Sequence, residues 1–277
     1  MKPFTVNEAL SKATKQLSHL ELPRFEAEVL LGATLNQSRA FLMSHTSFLL
    51  SEAEEVSFLS LIEKRKSGYP AAYLIGKKGF WTLDFKVTES TLIPRPETEL
   101  LVELALGYLQ GKKKPKILDL GTGSGAIALS LANDIKQAEV YATDYSFAAL
   151  QVAQENARIN NIHNVFFICA DWLSAMSAKF DLIISNPPYI AEKDPHLSSD
   201  IRFEPRAALV SGIDGLKDIR CIVLEAKKRL RAGGCLMIEH GFDQAESVSE
   251  LLSEAGYHEV TTHYDIGGHE RVTLGIA

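Results

Sequence analysis

Two stretches of this 277-residue chain carry residue types and spacings suited to chemistry on a small ligand. The first, Ser185-Asn186-Pro187-Pro188-Tyr189-Ile190, follows the apolar run FDLIIS. Its two prolines remove two backbone donors and hold the chain extended, so it suits neither a central strand nor a helix. What it offers is acceptors. The side-chain carbonyl of Asn186, and the Pro187 carbonyl whose direction is restrained by its own ring and by Pro188, suit a planar NH2 group with two hydrogens to donate. Tyr189 can pack against that group. An amide or aromatic amine nitrogen is a poor nucleophile because its lone pair is delocalised. Holding both hydrogens while presenting the nitrogen to an electrophilic methyl group restricts the pair to near-attack geometry and favours charge development on nitrogen. No strong general base is obligatory, since the proton becomes acidic once the nitrogen is alkylated. A proline-rich turn with a capping Asn competes as an account of the tetrapeptide alone.

The second stretch, Asp119-Leu120-Gly121-Thr122-Gly123-Ser124-Gly125, closes an apolar run and leads into a helical pattern. Glycines there let the backbone turn sharply and approach a ligand, and a helix N-terminus provides free amides. The spacing is GxGxG, neither the GxGxxG of a dinucleotide site nor a phosphate loop ending in GK[ST]. Asp144 ends the next strand-like run, where a carboxylate can accept both hydroxyl hydrogens of a ribose. Asp171-Trp172 ends the third; a carboxylate can accept from an exocyclic amine and an indole can cover a purine face. Each has a duller explanation as a helix cap, a turn or core. Their co-occurrence at the carboxyl ends of successive strands, where open α/β sheets bind ligands, favours a site.

The elements that position these residues follow from periodicity. Alternation after Lys112-Lys113-Lys114-Pro115 predicts strands at 116–120, 139–143, 165–170, 182–185 and 235–239, with helices at 126–132, 148–160 and 216–230. Runs at 258–264 and 271–275, joined through Gly267-Gly268, predict an antiparallel edge hairpin. Upstream, Pro94-Arg95-Pro96-Glu97 stops a strand and opens a helix to Leu109. Residues 1–72 show apolar spacing of three and four, Pro23 suited to a first helical turn, and Ser51 with Glu54 as a capping box. They read as a small helical bundle. Residues 73–95, aromatic and β-branched around Gly76-Lys77-Lys78-Gly79, read as a β-hairpin linker, and 96–277 as the catalytic domain.

Composition excludes more than it assigns. A formal net charge of −6 argues against the broad basic surface that duplex binding draws on, so no stable nucleic-acid binding is expected. Three cysteines, Cys169, Cys221 and Cys235, have no CxxC spacing; neither a disulfide framework nor a metal site is suggested. Cys169 and Cys235 sit in strand-like apolar runs and read as buried thiols. No signal-peptide core or membrane-length apolar segment is present, so a reducing cytoplasm fits best.

Beside DLGTGSG and NPPY stand GYPAAYLIG (68–76), TLIPRPETE (91–99), EPRAAL (204–209) and GIDGL (212–216). With these the chain closely resembles the HemK-like (PrmC) family of peptide chain release factor N5-glutamine methyltransferases, over nearly its whole length. The resemblance implies an α/β fold: a seven-stranded Rossmann-like sheet binding S-adenosylmethionine, with S-adenosylhomocysteine as product, after a helical domain that helps recognise the release factor. It implies cofactor contacts from Asp119, Gly121, Thr122, Gly123, Gly125, Asp144 (ribose), Asp171 and Trp172 (adenine), and Asn186. It implies that Asn186, Pro187 and Tyr189 carry catalysis on the glutamine of the release factor's GGQ motif. Pro188, Pro94, Arg95, Pro96 and Glu97 would border the substrate, and Glu204 and Pro205 would support the NPPY loop. A monomer acting on GGQ-carrying release factors, away from membranes, is the expected state. Ala170 departs from the pattern, in which a Gly commonly precedes the Asp-aromatic pair. NPPY also resembles DNA adenine and ribosomal RNA guanine methyltransferases, so it specifies an NH2 target rather than a particular one; IPRPETE is the more specific sign. An amino methyltransferase of nucleic acid, or a nucleotide-binding module without catalysis, stand as alternatives.

Overall fold

The computed structural model describes residues 3–198 and 200–277. The chain divides into two units: residues up to Gly76 together with His196–Phe203, and Lys77–Pro195 together with Glu204–Ala277.

Among its described residues the first unit holds five α-helices, α1 (Val6–Gln16), α2 (Pro23–Leu35), α3 (Arg39–Ser44), α4 (Glu52–Lys66) and α5 (Ala71–Ile75). Local chemistry sets their ends. Thr5 with Glu8 and Ser51 with Glu54 form capping boxes that open α1 and α4, satisfying two orphan donors each. Three acids in the first turn of α4 and Lys64, Arg65 and Lys66 in its last complement the helix dipole. Val6, Leu10, Leu30, Leu31, Phe58 and Ile62, spaced at helical intervals, are completely or almost completely buried and form this unit's own core.

The second unit opens with β1 (Lys77–Phe80) and β2 (Leu83–Lys86), an antiparallel pair. The hairpin turns at Trp81 and Thr82, not around Gly76 to Gly79 as the sequence suggests, and residues 71–75 are helical. Gly76 adopts φ +72 as the left-handed cap of α5; the glycine marks a helix end rather than a strand turn.

Next come α6 (Glu99–Leu109), β3 (Lys116–Leu120), α7 (Ala126–Asp134), β4 (Glu139–Asp144), α8 (Phe147–Ile159), β5 (Val165–Cys169) and β6 (Phe180–Ser185). After them follow α9 (Lys217–Lys227), β7 (Leu230–Glu239), α10 (Ala245–Glu254), β8 (His258–Tyr264) and β9 (Glu270–Ile276). The sheet order is β5-β4-β3-β6-β7-β9-β8, parallel through β7, with β9 antiparallel to both its neighbours. The expected hairpin is therefore inserted: β9 pairs with β7 and leaves β8 at the edge. Helix α10 lacks strong end signals, and its amphipathic run AESVSELLSE is not anticipated above; Val248 and Leu252 bury it against the sheet.

The central strands are apolar on both faces, as a sheet covered on both sides requires: Ile117, Leu118, Leu120, Leu182, Ile183 and Ile184 are fully buried. One core lies on the α6/α7 face and another on the α9/α10 face. Cys235 in β7 is buried, but Cys169 is exposed, against expectation. It ends the edge strand β5, whose side chains are only partly covered.

Because β3 has β4 on one side and β6 on the other, chain connections leave it in opposite directions. The crevice at the carboxyl ends of β3 and β6 is the topological switch point of the sheet, where open α/β sheets place ligands.

Candidate active site

Leu120 and Ser185 are paired at the ends of β3 and β6, and the Ser185 hydroxyl donates to the Leu120 carbonyl at 2.8 Å. That rung sets the glycine loop beside the Asn-Pro-Pro-Tyr stretch. A cavity of about 460 Å³ opens there, lined by Gly121, Gly123, Asp144, Asp171, Trp172, Asn186 and Pro188 among others. Four segments separated by tens of residues thus meet in one place.

The glycine loop is built around two carboxylates. Asp119 is fully buried; its Oδ2 accepts from the Thr122 hydroxyl at 2.6 Å and from the Ala128 N–H at 3.2 Å, while Oδ1 has no partner among the described residues. Burial pushes its pKa up to about 7, opposed by those two hydrogen bonds and reinforced by the nearby Asp144 charge. Asp144 Oδ2 accepts from the Gly123 N–H and Oδ1 from the Ser146 N–H, both at 2.9 Å. Burial raises this carboxyl too, with the amides of Ser146, Gly123 and Tyr145 pulling the other way. A carboxylate has about four acceptor positions, so with these three amides Asp144 keeps about one for a ligand.

Gly121 takes φ +70, and a Cβ there would lie 3.2 Å from the Trp172 ring. The loop therefore needs glycine for both its turn and the close approach of the indole. Trp172 itself holds φ 42, an unusual backbone for an aromatic, which turns the chain after β5 back toward the loop.

The Asn-Pro-Pro-Tyr stretch leaves the sheet as an extended run. Ile190 N–H donates to the Leu209 carbonyl at 2.9 Å and the Ser211 N–H to the Ile190 carbonyl at 3.0 Å. The Tyr189 carbonyl accepts from Gln244 Nε2 at 3.0 Å. Gly215 of GIDGL lies under it; a Cβ there would be 2.2 Å from that oxygen. Asn186 Nδ2 donates to the Thr98 hydroxyl at 3.0 Å. Neither Asn186 Oδ1 nor the Pro187 carbonyl accepts a hydrogen bond among the described residues. The Tyr189 phenol is held well above its ordinary pKa, by burial first and by the charge of Glu239 second.

The IPRPETE segment is tied down by Glu204, whose buried carboxylate accepts from the Ile93 N–H at 2.9 Å and pairs with Arg95. Glu204 thus braces IPRPETE directly, rather than the NPPY loop that the resemblance implies, whereas Pro205 lines the cavity. Of the other residues singled out in the sequence, Asp119, Thr122, Gly125, Pro187, Tyr189, Pro94, Arg95 and Glu97 do not line it. Pro94 and Pro187 are buried and Glu97 is exposed. Several lining residues escape sequence reasoning, notably Ser90, Leu92, Tyr145 and Asp218. An exposed tyrosine directly after the strand-end Asp144 is a readable signal; Ser90 and Asp218 carry none.

Among the described residues no group of three or more His, Cys, Asp or Glu is placed to hold a metal, and no helix is long and apolar enough to cross a membrane.

Comparison with known proteins bears on the family and the fold. The family described as the PrmC N-terminal domain matches residues 8–76, and the methyltransferase small domain matches residues 97–212. The chain is 48% identical over 268 residues to the release factor glutamine methyltransferase of Xylella fastidiosa, covering 96% of each. It is 45% identical to that of Vibrio cholerae, covering 98% of this chain and 96% of the other. The corresponding Escherichia coli protein is 43% identical, with 96% of each chain covered. Among solved structures, a methyltransferase from Pyrococcus furiosus has a TM-score of 0.53 at 18% identity, covering 79% of this chain and 96% of that one. The T. thermophilus 16S rRNA N2 G1207 methyltransferase, solved with AdoMet and guanosine, has a TM-score of 0.52 at 21% identity, covering 72% and 49%. These two show a shared fold.

Proposed function

The chain belongs to the release factor glutamine methyltransferase family, and on that premise we propose that it transfers a methyl group from S-adenosylmethionine to the side-chain amide nitrogen, N5, of the glutamine in the GGQ motif of peptide chain release factors. Such transfer modulates translation termination and takes place in the cytoplasm. The observation that carries the reading is at Asn186, which lines the cavity: its amide nitrogen is engaged by Thr98, and neither its carbonyl oxygen nor that of the adjoining, buried Pro187 accepts a hydrogen bond among the described residues.

The residues around the cavity fit the cofactor by the chemistry of their donors and acceptors. Asp144 retains an acceptor position for a ribose hydroxyl, Gly121 and Gly123 present backbone without side chains, and Asp171 and Trp172 offer an acceptor and an aromatic face for adenine. S-adenosylmethionine supplies an electrophilic methyl group when bound. The chain's own contribution is positional. Asn186 Oδ1 and the Pro187 carbonyl accept the two hydrogens of the acceptor amide, which fixes its plane and favours the positive charge that grows on its nitrogen. Pro187 and Pro188 cannot donate and so cannot compete for those carbonyls. Tyr189, kept neutral by burial, adds no charge beside the Asn-Pro-Pro stretch. Arg95, held by Glu204, and Pro94 and Glu97 of the same segment border the path of the acceptor peptide.

A methylation assay with labelled cofactor tests the substrate class. Purified release factor should take up label while single-stranded DNA and ribosomal RNA fragments take up none. Label on nucleic acid with none on release factor would overturn the assignment.

A further inference from the structure

The buried acid at the end of β7 takes no part in the account above, although it lies one residue past the last rung that holds Asn186. Ser185 pairs with Ile238, so Asn186 leaves β6 beside Glu239, the last residue of β7, which is still paired with Val272 of β9. Glu239 is 1% exposed, and its Oε2 has no hydrogen-bond partner among the described residues. The Thr98 hydroxyl and the Asn186 amide both favour its ionised form, although neither bonds Oε2. Thr98, itself buried, closes the 3₁₀ turn Pro96–Thr98 inside IPRPETE and accepts from Asn186 Nδ2.

An ionised carboxylate can only accept. Beside it the Thr98 hydroxyl must turn its hydrogen toward Glu239 and its lone pairs toward Asn186, so only the NH2 end of the Asn186 amide is accommodated. The opposite flip would set Oδ1 against Thr98 lone pairs and a carboxylate, and would turn the NH2 into the cavity, where it repels the hydrogens of an acceptor amide. We propose that Glu239, acting through Thr98, is a positioning residue that selects the flip of Asn186 in which the side-chain oxygen faces the methyl acceptor. This rests on the reading of Asn186 as the holder of an NH2 group.

Protonation would remove the selection, because a neutral Glu239 can donate and frees Thr98 to do the same. Burial holds the Glu239 pKa at about 7, with Thr98, Arg271 and Asn186 favouring the ionised form and Glu97 opposing it. The other charged or titratable groups near it are Tyr189, whose pKa it raises, and its chain neighbour His240, which burial keeps neutral and whose ring bonds the Gly241 carbonyl and Thr273 hydroxyl. The selection is therefore strongest above neutral pH.

The test uses the full chain labelled with ¹⁵N at asparagine, the Asn186 side-chain NH2 resonances being identified by their loss in Asn186→Ala. They should titrate with a midpoint near neutrality. Glu239→Gln should abolish that titration, Thr98→Val should shrink its amplitude, and Thr98→Ser should keep it. Resonances that do not move with pH, or that move identically in Glu239→Gln, overturn the proposal. On a GGQ peptide, kcat should rise with pH through the same midpoint. Glu239→Gln should remove that limb and lower kcat by about a hundredfold with cofactor affinity unchanged by calorimetry. Thr98→Ser should recover most of what Thr98→Val loses; equal losses in the two would count against the hydroxyl and overturn the proposal. Should Asn186 titrate through Glu239 while no glutamine peptide is methylated, the positioning stands and the substrate assignment falls.

Discussion

Replacing Asp144 by Asn separates two jobs that one carboxylate does. Its two oxygens each accept a backbone N–H at 2.9 Å, from Gly123 and from Ser146, and with the Tyr145 amide also drawn to it the carboxylate keeps about one acceptor position for a ribose hydroxyl. An asparagine can keep one oxygen in place, but its NH2 must replace the other. One backbone N–H then meets a donor, at about 1–3 kcal/mol, and one ligand hydroxyl loses a charged acceptor, at about 1.5–3 kcal/mol. The first cost falls on folding and the second on binding. S-adenosylmethionine affinity should therefore weaken by about 10- to 150-fold in calorimetry. The unliganded protein should also unfold at a lower temperature. A variant that melts earlier but binds the cofactor with unchanged affinity would refute the ribose assignment and leave Asp144 as a loop brace alone.

Other substitutions probe different parts of the molecule. Asn186→Ala should reduce transfer by about a thousandfold in kcat while changing cofactor affinity little, as measured by single-turnover kinetics beside calorimetry. Asp119 gives a stability signature: its pKa is raised from 3.8 to about 7, so the folded state binds this proton more tightly than the unfolded one. That contribution is complete below about pH 4 and is lost as pH rises through 7, by about 4 kcal/mol. Urea unfolding at pH 5 and pH 8 should show a loss that is smaller by about 3 kcal/mol in Asp119→Asn than in the wild type, the remainder coming from Glu239, whose pKa is raised to about 7 as well. Glu204→Gln breaks the pairing with Arg95 and should cost about 2 kcal/mol in urea unfolding, because Arg95 is only partly screened by solvent.

The α/β alternation is legible because the buried strands of a parallel sheet read as apolar runs, and β4 and β6 end in polar residues, Asp144 and Ser185, where the chain must turn out of the core. The placement of Asp144, Asp171 and the Asn-Pro-Pro-Tyr stretch at one sheet edge follows from the same pattern. What could not be read locally depends on pairing between distant segments. Helix α10 has no capping residue that announces it and is stabilised by burying Val248 and Leu252. The exposure of Cys169 reflects the edge position of β5, which a single strand does not encode. Glu239 ends the run CLMIE and looks like a strand terminus meeting solvent. It is buried because the IPRPETE turn, more than a hundred residues earlier in the chain, brings Thr98 over it.

The most direct test is tandem mass spectrometry of a release factor incubated with S-adenosylmethionine and either the wild-type chain or Asn186→Ala. The account predicts the mass of one methyl group on the side chain of the GGQ glutamine with the wild type and none with the variant. An unmodified glutamine with the wild type, a methyl group elsewhere on the release factor, or equal modification by both proteins would contradict it.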